Sequence, residues 1–229
     1  MEFNKWEIYK ILKKNKKIDI FLPETALLKC SDDAFDMMNR YKSIFIKPCI
    51  GSQGIGIIHA TKISRNKFNI YYYSNNKVCF MTISYIEMDT LILKQIRNCC
   101  CIVQRSIKLV KYNGCPVDFR LSLCKRLQDN CWQCNRILGL IATNEQTITS
   151  LKYGGKIIEY DKIKFNTDIQ NSKSKQEMLS ISNKIAGIIE SHFQDNIIVQ
   201  FGLDFAIDYT GGVWFIDANP YAIYQCNFK

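Results

Sequence analysis

The chain has 229 residues, 47% of them hydrophobic and 12% aromatic, which is enough apolar material for a full core in one large domain or two joined lobes and excludes a disordered chain. A formal charge of +10 favours an anionic partner: nucleotide phosphate, nucleic acid or an acidic surface. The lysines are spread along the whole chain and no basic run is interleaved with stacking aromatics, which argues against nucleic acid.

Residues 1–17 mix Glu and Lys with isolated apolar residues, unlike the apolar core of a secretion signal, and no apolar run approaches the roughly 18 to 20 residues that span a bilayer. The expectation is a cytoplasmic protein. The eleven cysteines are odd in number and scattered, so they read as reduced thiols; Cys131 and Cys134 have metal-ligand spacing without a second pair and read as packing, not zinc.

Asn4 with Glu7 resembles a capping box, and Trp6, Ile8, Tyr9, Ile11 and Leu12 recur at helical spacing, predicting a first helix of about ten residues. After Leu22-Pro23, a second helix is predicted over 32–41. Strand texture begins at Ser43 and runs through Ile44-Phe45-Ile46, a glycine loop, 55–63, 68–73 and 78–83, with a turn at Asn75-Asn76. A helix over 85–97 follows, then strands at 101–103, 117–124 and 137–143. Ser174 and Glu177 form a second capping-box pattern ahead of a long amphipathic helix, and two closing strands end the chain. The unequal grouping of strands and helices points to α+β architecture.

Gly51-Ser52-Gln53-Gly54-Ile55-Gly56 offers backbone N–H groups that can approach phosphate oxygens, although a glycine cluster alone is usually just a turn. A P-loop or Rossmann turn opens a helix; this loop joins two strands, as a hairpin covering a triphosphate would, with Lys47 at its base. The plain alternative for Lys47 is a solvated strand end.

The segments 202–208 and 213–219 flank Tyr209-Thr210-Gly211-Gly212, and a four-residue loop pairs Asp208 with Val213. Counting back sets Ala206 against Phe215, Asp204 against Asp217 and Gly202 against Asn219. Leu203, Phe205, Ile207, Trp214, Ile216 and Ala218 then share the core face, leaving Asp204, Asp217 and Asn219 together on the other. Two opposed carboxylates repel unless something offsets them, and oxygen donors with one amide suit magnesium. A solvent-facing acidic edge is the alternative. Asp118 and Arg120 lie on one face of a strand with Phe119 on the other; the arginine fork suits phosphate or carboxylate oxygens, against the alternative of a surface ion pair.

In order, Lys47-Pro48 with the glycine loop, Val103-Gln104, Asp118-Phe119-Arg120, Gly202-Leu203-Asp204 and Asp217-Ala218-Asn219 resemble an ATP-grasp domain. Asn4-Lys5-Trp6-Glu7, Leu22-Pro23-Glu24-Thr25, Tyr112-Asn113-Gly114 and Gly212-Val213-Trp214-Phe215-Ile216 resemble the YheC/YheD family of endospore-coat-associated ATP-grasp proteins in particular. The resemblance implies an α+β ATP-grasp fold: an entry segment (1–42), a small lobe with the glycine loop (43–103) and a large lobe with the metal site (104–229), gripping ATP between antiparallel sheets. It implies adenine held by Gln104, Arg105, Ser106 and Ile107, largely through backbone groups. Phosphates would meet Lys5, Lys47 and the loop residues Gly51, Ser52, Gln53, Gly54, Ile55 and Gly56, with Asp118 near the ribose. Arg120 would face the transferred phosphate, and Mg2+ would sit on Asp204, Asp217 and Asn219. The implied activity is ATP-dependent ligation of an unidentified carboxylate, activated as an acylphosphate, to an amine or similar nucleophile, with peptide or spore-coat material as candidate substrates. Its alternative is a nucleotide-binding or coat-assembly protein that has lost turnover. His59 and His192 read as structural.

Overall fold

The structure, a computed structural model, describes residues 3–51, 54–74, 77–126, 131–143, 149, 154–163, 165, 171–193 and 197–223. Ser52, Gln53 and the Asn75-Asn76 turn lie outside the described residues. The elements are α1 (Lys5–Lys13), α2 (Lys16–Asp19), β1 (Thr25–Leu28), α3 (Ser31–Tyr41), β2 (Ser43–Pro48), β3 (Ile58–Ser64), β4 (Lys67–Ser74), β5 (Lys77–Ser84), α4 (Tyr85–Asn98), β6 (Cys101–Arg105), β7 (Lys111–Tyr112), β8 (Cys115–Arg126), β9 (Cys131–Ile141), β10 (Lys156–Glu159), α5 (Asn171–His192), β11 (Ile197–Ile207) and β12 (Val213–Ile223).

Among the described residues the strands form two antiparallel sheets, ordered β1-β6-β2-β3-β4-β5 and β10-β9-β8-β11-β12, with β7 added against β8. This is the α+β architecture expected. In the first sheet Ile44 and Ile46 point into a core with Met37 and Met38 of α3 and Met88 and Ile92 of α4. The alternate residues fall on the opposite face, where the pairing register lays Thr25, Gln104, Phe45, His59, Tyr71 and Phe80 in one row across six strands.

In the second sheet Phe119, Leu121, Phe201, Leu203 and Phe205 pack with Ile185 and Ile189 of α5 and with Ile8 and Leu12 of α1. Each fully buried phenylalanine contributes about 2 to 3 kcal/mol relative to exposure. Helix α1 begins as its sequence suggests, with the Asn4 side chain accepting from the N–H groups of Trp6 and Glu7. Its first residue also ties it to the other sheet, since Lys5 N donates to Cys49 O at 2.8 Å. Within residues 1–42, then, α1 and α2 pack on the second core, whereas β1 and α3 belong to the first.

The sequence reading needs correction in three places. The helix expected to start at Ser174 begins at Asn171, so Ser174 lies inside it; its hydroxyl bonds Gly211 O at 3.3 Å instead of capping. The short β1 and β10 carry too few residues to show a period. In the closing hairpin Ile207, not Asp208, pairs with Val213, Ala206 pairs with Trp214, and a bulge next to Asp204 restores Asp204↔Asp217, Leu203↔Ala218 and Gly202↔Asn219. The longer loop and the bulge compensate, so the acidic end has the expected register. At the turn end, however, Val213 and Phe215 face the core, and Trp214 and Ile216 do not. Asp208 stabilises that loop, accepting from Thr210 N, Gly212 N and Trp214 Nε1.

Candidate nucleotide and metal site

Lys47 of β2 lies in the fields of Asp217 on β12, Asp204 on β11 and Asp118 on β8, so the two sheets face each other here. A small cavity beside this point is bounded by α1, β1, β6 and β12, with Lys5, Thr25, Gln104 and Asp217 among apolar residues such as Ile8, Leu22 and Phe215. Its lining draws on strands of both sheets and on α1.

Strand alternation puts Lys47 on the open face of β2, two residues from Phe45, whose ring lies 5.3 Å from the lysine nitrogen. Lys47 is buried, and its Nζ donates to Gln104 Oε1 at 2.6 Å. Gln104 Nε2 donates to Thr25 Oγ1 at 3.0 Å, and Thr25 Oγ1 to Pro23 O at 2.9 Å. The ammonium thus has a neutral acceptor, so burial pulls the Lys47 pKa down to about 8, opposed mainly by the field of Asp217. Beyond it, Gly51, Gly54 and Gly56 have φ of 140°, 79° and 73°. A Cβ on Gly56 would lie 2.8 Å from Pro48 Cγ, so only glycine lets the loop return this closely to its own base.

On the second sheet Asp204 faces Asp217 across β11–β12 and Arg120 across β11–β8. Arg120 forms a two-pronged ion pair with Asp204, Nε–Oδ1 and Nη2–Oδ2 both 2.7 Å. Lys5 Nζ reaches Asp217 Oδ2 at 2.6 Å, and Asn219 Nδ2 donates to Asp204 Oδ2 at 3.3 Å. The repulsion between opposed carboxylates is therefore offset here by two cations of the chain itself. Burial raises the Asp204 carboxyl above its ordinary range, and Arg120 opposes the rise.

Asp118 shares this face. Thr149 donates to its Oδ2, and Oδ1 is buried with no hydrogen-bond partner. Burial, then the charge of Asp204, pushes its pKa up to about 8. Among the described residues no three His, Cys, Asp or Glu side chains converge as a metal cage. The donor set nevertheless fits magnesium, which takes one or two carboxylates together with phosphates and waters. Asp204 and Asp217 are opposed and Asn219 adds an amide, with the partnerless Asp118 Oδ1 on the same face.

Of the residues expected on an inter-lobe strand, Gln104 and Arg105 end β6 whereas Ser106 and Ile107 lie beyond it, and the segment is largely committed within the protein. Arg105 N donates to Glu24 O at 2.8 Å and Ser106 N to Ser43 O at 3.0 Å. The Arg105 side chain turns away from the shared cavity, with its guanidinium carbon 4.8 Å from the Tyr41 ring centre and 5.1 Å from that of Trp214. Ile107 is buried. His59, within reach of Ser43 Oγ at 2.7 Å and Ser106 Oγ at 3.2 Å, is held neutral by burial, its pKa lowered to about 4. Reading the sequence alone missed Thr25, Thr149, Ser43 and the Arg105 stack. Each depends on partners distant in the chain, and no local pattern announces them.

Two antiparallel sheets, one with a lysine near the base of a glycine loop and the other with a carboxylate hairpin, are the arrangement of the ATP-grasp fold. Solved structures agree: the chain is similar to D-alanyl-alanine synthetase A from Vibrio cholerae, with a TM-score of 0.57 and 12% identity over 96% of this chain and 55% of that one. It is similar also to the D-alanine-D-alanine ligase from Coxiella burnetii, with a TM-score of 0.57 and 9% identity over 95% of this chain and 47% of that one. The sequence matches the YheC/D like ATP-grasp family over residues 2–227, and the chain belongs to that family. It is 24% identical over 220 residues to the endospore coat-associated protein YheD of Bacillus subtilis, covering 95% of this chain and 48% of that protein. The chain thus spans about half the length of these relatives. No helix among the described residues is long and apolar enough to cross a membrane.

Proposed function

We propose that the chain binds ATP with magnesium between the open faces of its two sheets and transfers the terminal phosphate to a carboxylate, the resulting acylphosphate then yielding to an amine or similar nucleophile. The observation that carries this is the opposition of Asp204 and Asp217 beside Asn219, in a cleft shared with the desolvated Lys47. Asp204, Asp217 and Asn219 would hold the magnesium, which supplies charge neutralisation for phosphoryl transfer. Lys47 and Lys5 would bind phosphate oxygens; Lys47 is already dehydrated, so little solvation is lost when it does. Arg120 would leave Asp204 for the transferred group. The glycine loop would cover the phosphates, and Asp118 would accept from a ribose hydroxyl. With the amides of Arg105 and Ser106 occupied and β6 paired on both edges, an adenine edge would rely on the backbone of Ile107 just beyond the strand. The lobes that close on the nucleotide are taken as 43–103 and 104–229. By likeness to a coat-associated relative, we extend the proposal to spore-coat or peptide substrates and to action in the cytoplasm before or during coat formation.

A second reading, a nucleotide-binding assembly protein without turnover, is favoured by the two-pronged Arg120–Asp204 pair, which engages both proposed active residues. A panel of carboxylates and amines offered with ATP distinguishes the two. Ligase activity gives magnesium-dependent release of ADP and phosphate that falls at least about tenfold in Asp204→Asn. ATP binding without turnover across the panel supports the second reading.

A further inference from the structure

Four cysteines gather beside the base of the glycine loop, and the geometry of one pair is distinctive. Cys49 follows the last residue of β2, and Cys49 N donates to Cys100 O at 2.8 Å, extending the Pro48↔Cys101 pairing by one step. Directly opposed residues of antiparallel strands have Cα atoms about 4.5 to 5.5 Å apart, inside the window of roughly 4.4 to 6.8 Å that a disulfide spans. The two sulfurs already lie 2.9 Å apart. Cys100 is exposed and Cys49 is buried. The neighbouring thiols are arranged differently. Cys101 is buried in the first core, and the Cys99 sulfur, 3.5 Å from that of Cys101, also reaches Gln95 O at 3.8 Å.

We propose that Cys49 and Cys100 form a modification site, a dithiol that hydrogen peroxide converts into an intramolecular disulfide. The exposed Cys100 thiolate attacks one peroxide oxygen, the O–O bond breaks, and hydroxide leaves, giving a sulfenic acid. Cys49 sulfur then displaces the sulfenic oxygen, which departs as water with the Cys49 proton. In sum, two thiols and one peroxide give one disulfide and two waters. A small dithiol reverses the change by exchange. Burial holds Cys49 as a thiol until its partner is oxidised, because it raises that group well above the ordinary range. Cys49 lies between Lys47 and Gly51, so the cross-link fixes the base of the glycine loop to the start of β6.

The test treats the reduced full chain with equimolar hydrogen peroxide, alkylates the remaining thiols and maps the digest by mass spectrometry. Expected are loss of the Cys49 and Cys100 thiols together, a Cys49–Cys100 linked peptide lighter by two hydrogens, and recovery of both thiols with dithiothreitol. Cys100→Ser, a change at an exposed position, removes the link without disturbing the core, and Cys49→Ser leaves sulfenic acid trapped at Cys100. The proposal is overturned if Cys100 in the unaltered chain proceeds to sulfinic acid while Cys49 stays reduced, or if the principal link joins Cys99 to Cys101.

Discussion

The two faces of the cleft solve the problem of buried charge in opposite ways. On the first sheet a single ammonium, Lys47, is satisfied by a neutral relay through Gln104 and Thr25, and its pKa falls to about 8. On the second sheet the carboxylates are met ion for ion, Asp204 by Arg120 and Asp217 by Lys5. Only Asp118 among them keeps a buried oxygen without a partner. A neutral acceptor leaves a charge poorly stabilised and ready for a stronger anion, whereas an internal counter-ion keeps a site folded until a ligand replaces it. The first face is thus suited to receive phosphate and the second to exchange its own cations for those that arrive with it.

Removing the relay should break this contrast most severely. Gln104→Leu leaves the buried Lys47 ammonium without its acceptor, while the Thr25 hydroxyl keeps its bond to Pro23 O, at an expected cost of about 3 kcal/mol in chemical denaturation. The Lys47 pKa should fall below its present value of about 8. If stability is unchanged, the relay is not what satisfies Lys47.

Asp118 allows a test of the other face through pH. Its folded pKa of about 8 lies above the ordinary 3.8, so the folded form binds more protons between these values, and its contribution to stability is lost as pH rises through the window. Asp118→Asn removes that dependence. The variant should melt several degrees higher than the unaltered chain at pH 9 and nearly level with it at pH 4, as measured by melting curves across the range. A parallel decline in both proteins would contradict the assignment.

How much of this was written in the sequence differs between the faces. The hairpin's alternation led to the opposition of Asp204 and Asp217, but that pairing survives only because a turn one residue longer than expected and the bulge beside Asp204 cancel. The counter-ions were not legible: Lys5 is 212 residues from Asp217, and Arg120 is 84 from Asp204. The expectation that a divalent cation must offset the pair overlooked cations of the chain itself, which only the pairing of β8 with β11 and the docking of α1 bring into reach. The Ile216 position went astray for a local reason, since a bulge inserts a residue without changing the hydrophobic pattern around it. Gln104 and Arg105 were singled out from the inter-lobe strand, yet strand alternation sends their side chains to opposite sides, one to Lys47 and the other to Tyr41 and Trp214.

That Arg105 stack gives the smallest expected effect. It joins α3, beside the first sheet, to β12 in the second, and Arg105→Met should cost about 1 kcal/mol by loss of two cation–aromatic contacts. Equilibrium denaturation checks this, and a matching loss in Trp214→Leu that does not add to it would show that the two residues act as one unit.

The central claim is that both faces serve one ligand, and melting with magnesium and ATP tests it most directly. Nucleotide at about one hundred times its dissociation constant should stabilise the chain by about 2.7 kcal/mol, raising its melting temperature by several degrees. Lys47→Ala, from the first face, and Asp204→Asn, from the second, should each lose most of that rise. A full shift retained in both variants, or none in the unaltered chain, would contradict a nucleotide site shared between the sheets.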